Sequence, residues 1–270
     1  RIYRKRSSVS RESSVSSRGV TKASSPVEAA LKRDRRVVIA SVLVFCALAW
    51  AHTVYLAERP MVPMLRAWRP TDFGFMFFMW SVMMVAMMLP SATPMILLFA
   101  NMSRQRSEAA RPYVPTAVFT LGYLFVWTVF SLVATVANWG LHQGELLSAM
   151  MGRATPGVAG ALLIGAGLFQ WTPLKTACLS HCRSPMSFLM THLREGWLGA
   201  FATGMHHGLY CLGCCWLLMA LLFALGVMNL AWIAVLALFV VAEKVVPNGL
   251  IVGRASGVAL VTWGFWMLGS

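Results

Sequence analysis

Residues 204 to 216, GMHHGLYCLGCCW, hold two histidines and three cysteines in thirteen positions. His207, Cys211, Cys214 and Cys215 follow steps of four, three and one, which puts them on one stripe of a continuous helix, with His206 about 100° round from His207. A second group lies upstream. Cys178, His181 and Cys182 sit at i, i+3 and i+4, so one helical turn could aim all three the same way. Lys175, one turn earlier on that face, would repel a bound cation but favour a thiolate. Thiolate and imidazole are ligands for zinc and copper, and softness tilts the choice toward Cu(I). Thioethers are soft as well. Met76, Met79, Met83 and Met87 recur at steps of three, four and four, and Met84 and Met88 widen that stripe. Met83, Met84, Met87 and Met88 are therefore additional soft-ligand candidates, set against the plainer reading that flexible thioethers fill gaps between helices.

Other chemistries for the same residues must be weighed. Free cysteine often behaves as a small apolar side chain, and Cys46, alone in its run, fits that reading. The other five cysteines all fall between 178 and 215, each near a histidine, and packing alone does not cluster them so. The Cys-x-x-Cys at 211 and 214 resembles a redox dithiol, but such motifs usually sit exposed at the start of a helix in a soluble fold. His206 or His207 could ligate haem, yet His52, His142 and His192 are poorly placed as a second axial ligand. The spacing is not that of a zinc ribbon, although zinc stays open. Unpaired thiolates in a bilayer are costly and a bound cation offsets their charge, so metal, with Cu(I) favoured, is the leading explanation.

The chain that must position these groups has 270 residues, 58% hydrophobic and 12% charged, which belongs in a membrane. Apolar runs of roughly 20 residues, enough to cross a bilayer core of about 30 Å, begin near Val37, Phe73, Pro115, Pro156, Trp197, Asn229 and Arg254. The expected fold is an all-α polytopic transmembrane helical bundle of about seven spans, with six as the alternative. ALAWA, ending at Ala51, mimics a signal cleavage site, but the region before it is too long, so the first span is expected in the mature protein. Two regions are expected: a disordered, basic, serine-rich cytoplasmic tail over 1–36, and a transmembrane metal-binding domain over 37–270.

The net charge of +14 does not point to nucleic acid, because eleven of the 23 Lys and Arg residues precede Val37. With seven spans and a cytoplasmic tail, the cytoplasmic segments would also hold Arg104, Arg106, Arg111, Lys175, Arg183, Arg194, Lys244 and Arg254, leaving Arg59, Arg66, Arg69 and Arg153 outside. This asymmetry predicts a cytoplasmic N-terminus and attraction to anionic lipid. With the bilayer as its partner, the chain is expected in a bacterial cytoplasmic membrane.

Several local features add expectations. Pro90 and Pro94 should interrupt and kink the Met-rich second span, freeing carbonyls that protein or a wet cavity must satisfy. Gly204 and Gly208 have the spacing that admits a close neighbouring helix. Gln170 reads as a helix-to-helix hydrogen bond. RSPMSFLMTHLREGW reads as a short surface helix with Met186, Leu189, Met190 and Leu193 on its apolar side and His192 exposed. Glu243 and Lys244 are either a functional pair, with Glu243 behind a histidine or in transient contact with a cation, or an interfacial pair whose lysine snorkels. On a straight helix from Trp197, Cys211 lies about 21 Å along, while Cys182 is near the surface. One site therefore requires the fourth helix to break near Pro173 and fold inward, or the fifth to enter the membrane later; otherwise there are two.

Four ordered segments, MWSVMMVAMMLPSATP (79–94), FQWTPLKTACLSHCRSP (169–185), GMHHGLYCLGCCWLLMALLFALGVMNLAWIA (204–234) and AEKVVP (242–247), resemble the bacterial family of predicted metal-binding integral membrane proteins. The resemblance covers residues 37 to 270. It implies a polytopic helical protein associated with copper handling, with the family's motif positions falling here on Met83, Met84, Met87, Met88, Cys178, His181, Cys182, Cys211, Cys214 and Cys215. The expected function is a membrane protein that holds Cu(I) through Cys, His and Met and delivers it to a partner enzyme or other metalloprotein. The alternatives are a metal permease using the Met-lined helix, or a membrane thiol-redox or haem protein. No GxxxxGK[ST] loop is present, which argues against ATP-driven pumping by this chain.

Overall fold

A computed structural model of the chain describes residues 26–58, 68–106, 113–147, 154–192, 194 and 196–269. The architecture is all-α. The described residues form α1 (Pro26–Ala57), α2 (Pro70–Arg106), α3 (Tyr113–Gln143), α4 (Pro156–Phe169), α5 (Pro173–Arg183), α6 (Pro185–His192), α7 (Gly196–Leu225), α8 (Leu230–Val245) and α9 (Gly249–Gly269). Local chemistry sets several boundaries. The Thr172 hydroxyl accepts from the Lys175 amide at 3.3 Å with Pro173 in the first turn of α5, and Asn229 Oδ1 accepts from the Trp232 amide at 3.3 Å at the start of α8. Gly226, at φ 102°, follows the end of α7 in a conformation that side-chain-bearing residues rarely adopt.

Five helices, α1, α2, α3, α7 and α9, are long and apolar enough to cross a membrane, and the pair α4 and α5, bent by 65°, would make a sixth as one broken span. The sixth expected span is α8, which has 16 residues and so rises about 24 Å, short of a bilayer core of about 30 Å. It ends early because Glu243 and Lys244 turn into the protein and Pro247 follows. The expected boundary at Val37 falls inside α1, where Asp34 is buried in an ion pair with Arg104 of α2; residues 1–25 of the tail lie outside the described residues.

Both prolines of α2 lie inside a helix that continues through them. The expected interruption does not occur: the helix runs unbroken past both residues, and nearby Ser91 Oγ donates to Met88 O at 2.8 Å and Thr93 Oγ1 to Leu89 O at 3.1 Å. The short surface helix exists as α6 with a different buried face. Phe188 and Leu189 are buried, whereas Met186 and Met190 are exposed. His192 is half-buried, stacked on Phe188 at 4.7 Å, which corrects its reading as a simple surface histidine.

The long α7 packs against α3, α4, α5 and α8, while α2 packs against α1, α3 and α8 and α9 covers α4. Met76, Met79, Met83, Met84, Met87 and Met88 are all buried in the core with Trp80, Phe119, Tyr123 and Leu222. The α3 and α7 backbones meet at glycines. A Cβ on Gly204 would collide with the Phe119 carbonyl, one on Gly122 would collide with the Phe201 carbonyl, and one on Gly208 would stand 2.9 Å from Val126 Cγ2. The neighbour admitted by the Gly204 and Gly208 spacing is therefore α3.

Backbone cannot yield as a side-chain tip can, so Gly204→Ala should force α3 and α7 apart and cost about 1–3 kcal/mol. Gly165→Ala, in open space on α4, is the control. Thermal unfolding in detergent should show a lower Tm for Gly204→Ala and an unchanged or higher one for Gly165→Ala; equal Tm values would contradict the close approach.

Candidate functional site

The stripe on α7 is continuous and points inward: His207, Cys211, Cys214 and Cys215 are all buried. Inside the helix, the Cys214 and Cys215 thiols donate to the Cys211 carbonyl at 3.1 and 2.9 Å. The fourth span breaks as a single site requires. Pro173 lacks an amide hydrogen, Gln170 to Thr172 close turns onto Gly167, Leu168 and Phe169, and α5 departs at 65° to lie against α7. Cys178 then faces Gly213, where an added Cβ would stand 2.7 Å from its sulfur, and Cys182 and Cys214 lie near each other across the same interface. Five thiols from two helices thus share one interface, and all are free. Cys211, Cys214 and Cys215 form its interior, while Cys178 and Cys182 are partly exposed at its rim.

Three further residues complete this interior. Tyr123 of α3, brought close by the glycine contact, donates from its hydroxyl to Met88 O at 3.1 Å and lies 3.2 Å from Cys211 Sγ. Lys244 of α8 donates from Nζ to Cys211 Sγ at 2.9 Å and to Ser91 Oγ at 2.9 Å. Helices α3, α7 and α8 therefore meet at one sulfur, and α2 holds their polar groups through Ser91 and the Met88 carbonyl. Lys244 is buried, so it does not snorkel toward headgroups. Tyr123 lies outside every segment the sequence singled out, whereas Ser91 falls within 79–94 and Lys244 within 242–247, where its ionisable character in an apolar run also signalled a place for it.

Lys175 does not join the thiols. Its ammonium is paired with the Glu243 carboxylate, at 2.7 Å to Oε1 and 2.9 Å to Oε2, and hydrogen-bonded to Gln170 Oε1. Glu243 accordingly stands behind a lysine and not a histidine. Gln170 makes the interhelical bond expected of it, from the α4 to α5 break onto α5. Arg183 caps the same region, donating to Glu243 O and Pro247 O at 2.6 Å each. The glycines of α9 leave room for this arrangement, since a Cβ on Gly253 would meet the Glu243 carboxylate.

The histidines separate into three settings. His207 is enclosed by Phe119, Tyr123 and Phe188, and its Nδ1 has no hydrogen-bond partner among the described residues. His181 stacks on Tyr210 at 4.2 Å with Nδ1 2.9 Å from the Ala177 carbonyl, so it faces α7 beside the thiols and not among them. His206 meets His192 edge to face at 5.6 Å. Among the described residues, no three His, Cys, Asp or Glu side chains form a ready-made metal cage. Two reasons are visible: Cys214 and Cys215 are turned onto a carbonyl, and an ammonium occupies the sulfur of Cys211. The methionines Met83, Met84, Met87 and Met88 lie in the surrounding core, with the Met88 carbonyl reaching Tyr123.

Glu243→Gln should leave Lys175 as an uncompensated buried cation and destabilise the fold by about 3–5 kcal/mol. Adding Lys175→Met should recover most of that loss. Thermal unfolding of both variants checks this, and a single variant as stable as the wild type would contradict the pairing.

A family model described as copper chaperone, PpoB2, matches residues 77–267. The match runs from the Met-rich part of α2 into α9 and contains every thiol of the α5 and α7 interface. No curated protein and no solved structure matches the chain. The chain belongs to the PpoB2 copper chaperone family.

Proposed function

We propose that this protein is an integral membrane copper chaperone, which holds Cu(I) between α5 and α7 and passes it by ligand exchange to a metal-receiving enzyme or other metalloprotein. The observation that carries this reading is the convergence of Cys178, Cys182, Cys211, Cys214 and Cys215 in one interface. Thiolates are soft donors and suit a soft monovalent cation. The partly exposed pair on α5 offers a route in and out, and the three sulfurs on α7 offer an enclosed holding position. His206 and His207 flank this stripe on α7 and His181 flanks it from α5, as further donors along the route. Met83, Met84, Met87 and Met88 contribute a soft, water-excluding wall.

Membrane insertion is supported by the outer surface. Leu43, Phe45 and Leu48 of α1, Leu132 and Val133 of α3, Leu238 of α8, and Ile251 and Trp266 of α9 are each more than half exposed. Apolar surface of this extent, on helices of spanning length, is stable against acyl chains and not against water. The basic tail would then face the cytoplasm of a bacterial inner membrane, where anionic lipid attracts it.

Protein purified in detergent without oxygen and offered Cu(I) should retain copper at a roughly stoichiometric level. The Cys211→Ser, Cys214→Ser, Cys215→Ser triple variant should lose most of it, because hydroxyls are hard donors. Equal copper in both would overturn the assignment. Proteoliposomes should bind copper without net flux, whereas sustained flux would make the protein a permease.

A further inference from the structure

Lys244 is the one feature of the thiol interior that a cation-binding site would not be expected to contain. Its ammonium is buried, and among the described residues no carboxylate pairs with it, because neighbouring Glu243 is engaged by Lys175. Its acceptors are a sulfur and a hydroxyl, Cys211 Sγ and Ser91 Oγ, both at 2.9 Å. A buried ammonium without an anionic partner is costly, so the position makes physical sense only if the sulfur side of the site carries compensating negative charge.

We propose that Lys244 is an internal counter-ion that competes with copper for the Cys211 sulfur and exchanges with the cargo. This rests on the copper-holding function proposed above. The ammonium and Cu(I) require the same lone pairs on Cys211 Sγ, and two unit positive charges cannot share that sulfur at close range in a water-poor interior. Loading therefore displaces Nζ from the sulfur. Ser91 Oγ is already bonded to Nζ and keeps a partner for it after displacement. The four-carbon lysine stem provides the reach for this short pivot while α8 stays in place.

Release is the reverse exchange. The bond between copper and the Cys211 sulfur breaks as copper passes to an acceptor thiolate, and the ammonium hydrogen bond to that sulfur re-forms. Copper remains Cu(I), no electron moves, and the positive charge at the sulfur is conserved. The ammonium lowers retention of the cargo, which suits delivery better than storage.

The test uses full-length protein loaded with Cu(I) in detergent, with transfer to a water-soluble Cu(I) chelator followed over time. Lys244→Leu removes the competing cation without adding a thioether donor and should slow copper release by about tenfold or more. Ser91→Ala removes the partner that holds the displaced ammonium and should speed release, by about threefold. Opposite directions mark the exchange, since a merely structural role would shift both variants the same way. Rates that move together or match the wild type overturn this proposal while copper uptake stands. Failure of the wild type to take up copper overturns the parent reading and this one together. If Lys244→Leu does not fold, Ser91→Ala decides alone, and an unchanged or slower release contradicts the exchange.

Discussion

The arrangement turns on two consecutive charged residues at the end of an apolar helix. Glu243 and Lys244 are both buried, and neither can stay there without a partner. They face different elements. The Glu243 carboxylate draws in Lys175 and so fastens α5, while the Lys244 ammonium reaches α7 at Cys211 and α2 at Ser91. Because α5 is held inward by this pair and by Arg183, Cys178 and Cys182 lie against the α7 thiols and do not continue along the line of α4.

A second constraint makes the first possible. Helices can bring small polar groups together in an apolar interior only if their backbones approach closely, and glycines at the α3 and α7 contact allow this. Tyr123 follows Gly122, so the residue that permits the approach is adjacent to the one whose hydroxyl lies by Cys211. On the other side of the protein, Gly160 and Gly167 of α4 seat against Gly264 and Gly257 of α9, which keeps α4 fixed up to the point where α5 bends away. Rigid packing surrounds a centre whose own polar groups are few and specifically partnered.

Much of this was legible in the residues. Hydropathy identified the helical class, and the steps between His207, Cys211, Cys214 and Cys215 identified one inward stripe, because helical period alone decides which side chains share a face. Pro173 located the break. The role of α8 was not legible, since hydropathy scores an apolar run of 16 residues much as it scores a longer one and does not reveal which way its terminal charges turn. The partners of Lys175 and Lys244 were hidden for a related reason. Lys175 shares a turn with the cysteines in sequence, yet its charge is claimed by a carboxylate 68 positions away, and only the fold brings them together.

The resulting picture is a helical bundle whose apolar exterior suits lipid and whose interior concentrates sulfur around one lysine. Under the proposed function that sulfur holds a copper cargo, and the two-helix distribution of the thiols gives it a rim and an interior. X-ray absorption at the copper edge tests this most directly, comparing copper-loaded wild type with a Cys178→Ser, Cys182→Ser variant. The account predicts a sulfur-dominated shell in the wild type and fewer sulfur neighbours in the variant. A shell of nitrogen and oxygen alone, or one unaltered by loss of the α5 cysteines, would contradict it.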